Sequence, residues 1–485
     1  MTVAAAYRER RRNSRTDDTH EGDAVFLRRP GRAAAAPGPD LDVRRIRSHF
    51  DALRTGRVVT NNAASTQPPR ELLDLYRRLT PWYENVHRGQ STASRRTTAL
   101  FEGAYDTIAT WLNAPGPANL AIYRNTTEAH NAVMYSLLTQ FRDGDNVVTT
   151  MLEHNSNYVP WYALCREILP RFGRRVECRL ARFDAAGRLD LEHLASLVDA
   201  RTKLVCCTGA SNFFGTKPDL AAVRGIADAG GYTQPTGERR ALLLVDGAQL
   251  VPTSAVDVQA LDVDYLSFSF HKMLAPFGVG VLYAKEHLLR DALPFLYGGD
   301  MIADGQVSPE HVAWNDLPWK YAAGTPNVLG VIVSAQALRL LVDLVDPHPV
   351  RRYFDTDVPL PRPAVTATMD RVGRHTRRLT GRALAALAEI DGLTVHGPAQ
   401  AADRSPLVSF TVAGTSPFTL AEALDRRGVE SRAGCHCATL AHRALGLDPP
   451  ASCRLSFCLY NSDEDVDRAV GAVAGIVRAR RTQPI

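Results

Sequence analysis

The chain has no apolar run approaching a membrane span, and no apolar signal-peptide core follows its basic N-terminal residues. A cytoplasmic location without a membrane partner is therefore expected. No internal repeat is apparent, which sets aside repeat arrays. Cys435, His436 and Cys437 form a cluster of metal-binding character, but no second Cys pair at zinc spacing completes it, so no metal site is expected. The other cysteines are Cys165, Cys178, Cys206, Cys207, Cys453 and Cys458. In a large cytosolic chain they read as thiols and not staples. Cys206, Cys207, Cys453 and Cys458 close or flank apolar strands and read as buried structural thiols.

What is present is ordinary globular composition: 485 residues, 45% hydrophobic and 22% charged, enough for two or three domains. The formal net charge of +5 does not indicate a nucleic-acid partner, because many arginines crowd the first 50 residues, Arg8, Arg10, Arg11, Arg12 and Arg15 among them. Residues 1–40 have little apolar periodicity and read as a disordered basic tail. A targeting presequence is the rival reading, opposed by Asp17, Asp18, Glu21 and Asp23.

From about Leu72 to Leu288, short apolar strands alternate with helical segments. The strands are predicted at Ala118–Tyr123, Asn146–Thr149, Val176–Leu180, Lys203–Cys207, Ala241–Val245, Tyr265–Phe268 and Gly280–Ala284. That rhythm predicts an α/β layer architecture with a mostly parallel seven-stranded sheet. We expect residues 41–65 to pack on a smaller domain, 66–330 to form the large domain, and 331–485 to form a smaller α+β domain after a linker or insertion at 346–370. The stretch Gly230–Arg240 has turn chemistry and no apolar pattern, and reads as a surface loop.

Within this frame Lys272 closes the strand at Tyr265–Phe268, and Asp246 closes the strand before it. Ligands of such sheets gather at strand C-terminal ends. A lysine amine and a carboxylate placed there suit pyridoxal phosphate, which is held as a Schiff base by the amine while the acid keeps the ring nitrogen protonated. A surface lysine after a buried strand is the bland alternative for Lys272 taken alone.

The neighbours sharpen the reading. Asn61-Asn62-Ala63-Ala64-Ser65, Asn85-Val86-His87-Arg88-Gly89, Thr126-Thr127-Glu128, Glu153-His154, Ser211-Asn212, Asp246-Gly247-Ala248-Gln249, Ser269-Phe270-His271-Lys272, Gly324-Thr325-Pro326-Asn327 and Arg454-Leu455-Ser456 follow one another in order. Together they resemble the cysteine desulfurase and selenocysteine lyase family, within the class V aminotransferases of the fold-type I pyridoxal-phosphate enzymes. The resemblance runs from about Thr60 to Ser462.

It implies a cofactor phosphate held by Thr126, Thr127, Ser269 and His271, with Thr325 reaching the phosphate of a neighbouring subunit in a homodimer. Hydroxyls at the start of a helix suit a phosphate, and also serve as caps. His154 would stack on the cofactor ring and move protons, and Asn212 and Gln249 would donate to its phenolic oxygen. Arg454 would take the substrate carboxylate in a forked pair, which suits arginine better than lysine. Arg432, Asn62 and His87 complete the expected substrate contacts. Cys437 falls where a thiolate attacks the sulfur of L-cysteine, with Arg432 and His436 near enough to lower its pKa. The implied reaction gives L-alanine and a persulfide on Cys437, with a sulfur-acceptor protein as a further partner.

Two positions depart from the pattern: Cys435 stands where many members carry histidine, and so does Asn155 after His154. A β-lyase, epimerase or aminotransferase acting on another amino acid stays open at this level, since fold and cofactor alone do not fix the reaction. Selenocysteine as substrate stays open too. A cofactor-free scaffold or sulfur-relay partner is disfavoured by the presence of both Lys272 and Asp246.

Overall fold

The protein is described by a computed structural model covering residues 41–481 apart from 234–236, 238, 347–351 and 355. The expected tail at 1–40 and part of the expected insertion at 346–370 lie outside the described residues. In the large unit the strands are β1 (Leu120–Tyr123), β2 (Asn146–Thr150), β3 (Glu177–Ala181), β4 (Thr202–Thr208), β5 (Leu242–Asp246), β6 (Tyr265–Ser269) and β7 (Gly280–Ala284). They form one seven-stranded sheet in the order β1-β7-β6-β5-β4-β2-β3. Only β7 runs antiparallel to its neighbours.

Both faces of this sheet are covered, and the strand sequences show why. Side chains alternate between faces along a strand, so a doubly covered strand is continuously apolar. In β4, Leu204 and Cys206 join one core while Val205 and Cys207 join the other. The first core receives α2 (Thr126–Leu137) and the second receives α1 (Thr92–Leu112) and α3 (Val328–Val345). Cys206 and Cys207 are fully buried thiols. Removing a side chain such as Phe268, which is also fully buried, would cost about 3–5 kcal/mol.

Helix α3 amends two expectations. It is the one helix among the described residues long and apolar enough to cross a membrane, which the sequence reading overlooked. Its side chains are instead packed into the large unit's core against α1. The boundary expected at 331 therefore cuts through a helix of the large unit.

The smaller unit has a four-stranded antiparallel sheet in the order β8 (Leu393–His396), β9 (Leu407–Val412), β11 (Ser452–Ser456) and β10 (Arg432–Gly434). It packs on α4 (Arg362–Ala388) and α5 (Asp463–Arg481) around a separate core. Residues 58–59 pair with Val429 and Glu430 of this unit, whereas Ile46 and Phe50 enter the large core, where the Phe50 ring lies 4.8 Å from that of Tyr460. Where a loop was expected at 230–240, residues 232–233 and 239–240 pair as a short hairpin.

Candidate active site

The C-terminal ends of β4, β5 and β6 open into a cavity of about 300 Å³. Thr208, Asp246 and Ser269 are the last residues of those strands, and all three line it. Of the expected site residues, Thr126, Thr127, His154, Asn212, Asp246, Gln249, Ser269, His271, Lys272, Arg432, Cys437 and Arg454 all line the same cavity. Asn62, His87 and Thr325 do not.

At one end, α2 begins at Thr126 immediately after β1, with Asn125 capping it by accepting from Glu128 N–H at 3.0 Å. The Thr126 N–H donates to Ser269 Oγ at 2.8 Å, and the two hydroxyls lie 2.7 Å apart. Gly280 makes this approach feasible, since a Cβ there would sit 2.5 Å from the Asn125 backbone. A helix N-terminus edged by hydroxyls is an anion cradle.

Across the cavity floor, Asp246 is 3% exposed and accepts from Ala248 N–H at 2.9 Å. Lys272 is buried, which pushes its amine down to about 8, with Arg454 adding to the effect and Asp246 and Cys437 opposing it. A lysine so placed has a substantial free-amine fraction near neutrality. Only five lysines occur in the chain, and the others sit elsewhere. Lys320 donates to the carbonyls of Ala292 and Leu289, Lys285 pairs with Asp262, Lys217 donates to Ser254 Oγ, and Lys203 lies over the Tyr232 ring. Gln249 and Asn212 each commit one amide hydrogen to a backbone carbonyl, of Ala63 and His436 respectively, and keep the second. These residues fit pyridoxal phosphate in every part: an anion cradle, an acid for the ring nitrogen, an amine for the aldehyde and two amides for the phenolic oxygen.

His154 is more constrained than its sequence suggests. Its Nδ1 accepts from the Ser156 N–H at 3.1 Å and from the Ser156 hydroxyl at 2.8 Å, so its hydrogen is on Nε2. Burial, reinforced by Lys272, pushes its pKa down to about 4. His154 thus presents an N–H at neutral pH.

Arg454, on β11, is 3% exposed. Its Nη1 donates to Asn212 O at 2.6 Å, its Nε has no partner, and no carboxylate pairs with it among the described residues. A buried guanidinium without a counter-charge is costly and is relieved by an incoming carboxylate.

The loop that carries Cys437 is kinked and held by backbone hydrogen bonds. His436 and Cys437 hold φ of 51° and 56°, a left-handed kink that non-glycine residues adopt at a cost of about 1–3 kcal/mol each. The Asn155 N–H donates to Cys437 O at 2.6 Å, and the Ala438 N–H to Cys435 O at 2.7 Å. Cys437 is exposed and Cys435 partly so. Burial, with Arg454 next in effect, lowers the His436 pKa and makes this imidazole neutral. It therefore does not supply the positive charge the sequence suggested; the cation that interacts electrostatically with Cys437 is Arg454.

The three remaining residues fall elsewhere. Asn62 is buried, and its amide is saturated by the scaffold: Nδ2 donates to Ser456 O at 2.8 Å, while Oδ1 accepts from Tyr460. It corrects a substrate contact to a brace between the units. His87 packs against Trp319 with ring centroids 4.3 Å apart and lies 3.4 Å from Asp300. Thr325 is exposed on the surface.

Sequence reasoning missed the layer beneath the site. Glu153, fully enclosed, accepts from Thr150 Oγ1 at 2.6 Å, Asn157 Nδ2 at 2.6 Å and Thr208 N–H at 2.8 Å, joining the His154 loop to β4. Burial raises its pKa to about 8. His130 donates from Nδ1 to Ser156 O at 2.9 Å and accepts from Ser267 at 2.7 Å. A polar residue on the buried face of α2 was the available signal.

The model of the family "Aminotransferase class-V" matches residues 58–353 and 365–469. A probable cysteine desulfurase of Halobacterium salinarum is 36% identical over 91% of this chain and 97% of its own length. A cysteine desulfurase of Haloferax volcanii is 35% identical over 86% and 89%. Among solved structures, the cysteine desulfurase CsdA of Escherichia coli aligns with a TM-score of 0.75 at 30% identity, covering 91% of this chain and all of that one. The cysteine desulfurase of Thermococcus onnurineus aligns at 0.78 and 27% identity.

Proposed function

The chain belongs to the class V aminotransferase family of pyridoxal-phosphate enzymes, and from that premise we propose that it is a cysteine desulfurase converting L-cysteine to L-alanine, with the sulfur carried as a persulfide on Cys437. The observation that carries the reading is the convergence of Lys272, Asp246, Arg454 and Cys437 on one cavity. Bound pyridoxal phosphate supplies the electron sink for bond breaking at the substrate.

The chain's own residues do the rest. Lys272 Nζ would hold the cofactor by its aldehyde and would move protons at the substrate's α-carbon. Asp246 would keep the ring nitrogen protonated. Arg454 receives the carboxylate and so fixes which face of the amino acid meets Lys272. His154, lining the same cavity, would offer its Nε2–H to the bound cofactor or substrate. Cys437 Sγ attacks the substrate sulfur: the S–S bond forms, the carbon–sulfur bond breaks with its electron pair left to the carbon side, the β-carbon takes up a proton, and alanine leaves. Arg454 stabilises the attacking thiolate.

A homodimer acting in the cytoplasm with a sulfur-acceptor protein completes the proposal. Thr325 supports the dimer, because it is exposed outside its own chain's cavity. Gly324 beside it donates to Gly299 O at 2.8 Å, next to the exposed rings of Tyr297 and Trp314.

The test is Cys437→Ser. It should bind L-cysteine, seen as a change in the cofactor's visible spectrum, and release no alanine. Wild-type turnover in this variant, or pyruvate and sulfide from the wild type, would transfer the protein to the β-lyases.

A further inference from the structure

A chain of hydrogen bonds behind the nucleophile fixes the hydrogen on each of two histidines. His442 Nδ1 lies 2.9 Å from the Ala438 carbonyl, which can only accept, so Nδ1 carries the hydrogen. Burial keeps His442 neutral, and its Nε2 is therefore a bare acceptor. Ser452 Oγ lies 3.0 Å from that nitrogen and donates its single hydrogen to it. The same oxygen lies 3.0 Å from His436 Nε2, and must accept there. His436 thus carries its hydrogen on Nε2, and its Nδ1 is a bare lone pair.

That nitrogen is buried and has no hydrogen-bond partner. His436 itself is 5% exposed, lines the cavity, and precedes Cys437 in the left-handed kink. The other cavity groups are not equivalent: His154 presents an N–H, Lys272 and His271 are the residues proposed for the cofactor's aldehyde and phosphate, and Asp246 lies at the end of β5. His436 and Cys437 are consecutive residues lining one cavity, and an unpartnered imidazole lone pair that reaches a thiol is the kind of group that takes its proton.

We propose that His436 is a catalytic residue whose Nδ1 takes the proton of the Cys437 thiol. The S–H bond breaks, the N–H bond forms, and the electron pair remains on sulfur as the attacking thiolate. The imidazolium returns its proton to water after the sulfur has been transferred, when Nδ1 is again a lone pair. Arg454 on β11, Arg432 on β10 and His442 on the helix at 439–444 all face His436 and oppose its protonation. A carboxylate bound to Arg454 offsets the largest of those charges, so arrival of substrate favours the transfer. This inference rests on the proposed role of Cys437.

The test follows iodoacetamide alkylation of Cys437 in the full-length holoenzyme, quantified by peptide mass spectrometry between about pH 5.5 and 9. His436→Gln retains a donor toward Ser452 and removes the base. Its profile should move to higher pH by about one unit, giving about tenfold slower alkylation near neutrality. Ser452→Ala, which frees His436 to place its hydrogen on either nitrogen, should shift the profile in the same direction by less, and decides the matter if His436→Gln does not fold. A profile superimposable on the wild type in a folded variant overturns the proposal. Because alkylation needs no turnover, the result is separable from the desulfurase reading: L-cysteine turnover without sulfur on Cys437 would end that reading and leave the alkylation profiles as measured.

Discussion

Arg454→Lys isolates the carboxylate receptor. The guanidinium is buried, anchored through Nη1 to Asn212 O at 2.6 Å, and leaves Nε without a partner, in a residue that lines the cavity. Lysine keeps the charge but cannot hold the Asn212 carbonyl and grip two carboxylate oxygens in parallel. Losing one hydrogen bond to a charged group costs about 1.5–3 kcal/mol. At about 1.4 kcal/mol per decade, that is about 10- to 150-fold in apparent affinity. The assay titrates L-cysteine or L-alanine against the cofactor's visible spectrum, alongside steady-state KM. Cofactor content and the absorbance of the resting enzyme should be unchanged, since the Asp246 and Lys272 contacts are untouched. An unchanged KM would refute the reasoning and move the carboxylate site elsewhere.

Other outcomes follow from the same geometry. Lys272→Ala should abolish the visible band that borohydride removes, and a reducible band surviving on another lysine would refute the assignment. Asp246→Ala should retain bound cofactor and slow turnover of every amino acid alike, checked by comparing kcat for two substrates; near-normal rates would show that another group serves the ring nitrogen. The histidines predict acid instability: burial lowers the His154 and His271 pKa values from 6.5 to about 4. A depressed folded-state value contributes stability that is full above about pH 6.5 and is lost as pH falls toward about 4. The Tm of the holoenzyme should decline across that window, and a flat Tm would contradict the burial of these rings as neutral species.

Much of the fold was legible in the sequence because it is local. The seven strands of the large sheet fall within about two residues of their predicted positions, since doubly covered strands are short continuous apolar runs bounded by turns. Their order was not legible, because placing β7 between β1 and β6 depends on pairings far apart in sequence. Helix α4 begins at Arg362, inside the stretch expected as linker or insertion up to 370, because Pro363 in a first helical turn reads as linker although that position tolerates it. The hairpin at 232–240 was hidden by strands of only two residues each. At the site, Lys272 and Asp246 stood out because strand ends concentrate ligands. The hydrogen placements of His154 and His436 were not readable, for they are set by Ser156, Ser452, His442 and the Ala438 carbonyl, and hydrogen-bond geometry leaves no mark on composition. Asn62 shows the converse, a motif residue whose amide the scaffold saturates.

The most direct measurement is intact and peptide mass spectrometry of the holoenzyme after a brief exposure to L-cysteine, with alanine assayed in the same sample. The account predicts one added sulfur atom on Cys437, in step with alanine and removable by a thiol reductant. Alanine formed with the added sulfur on another cysteine, or L-cysteine consumed to pyruvate and free sulfide with Cys437 unmodified, would contradict it.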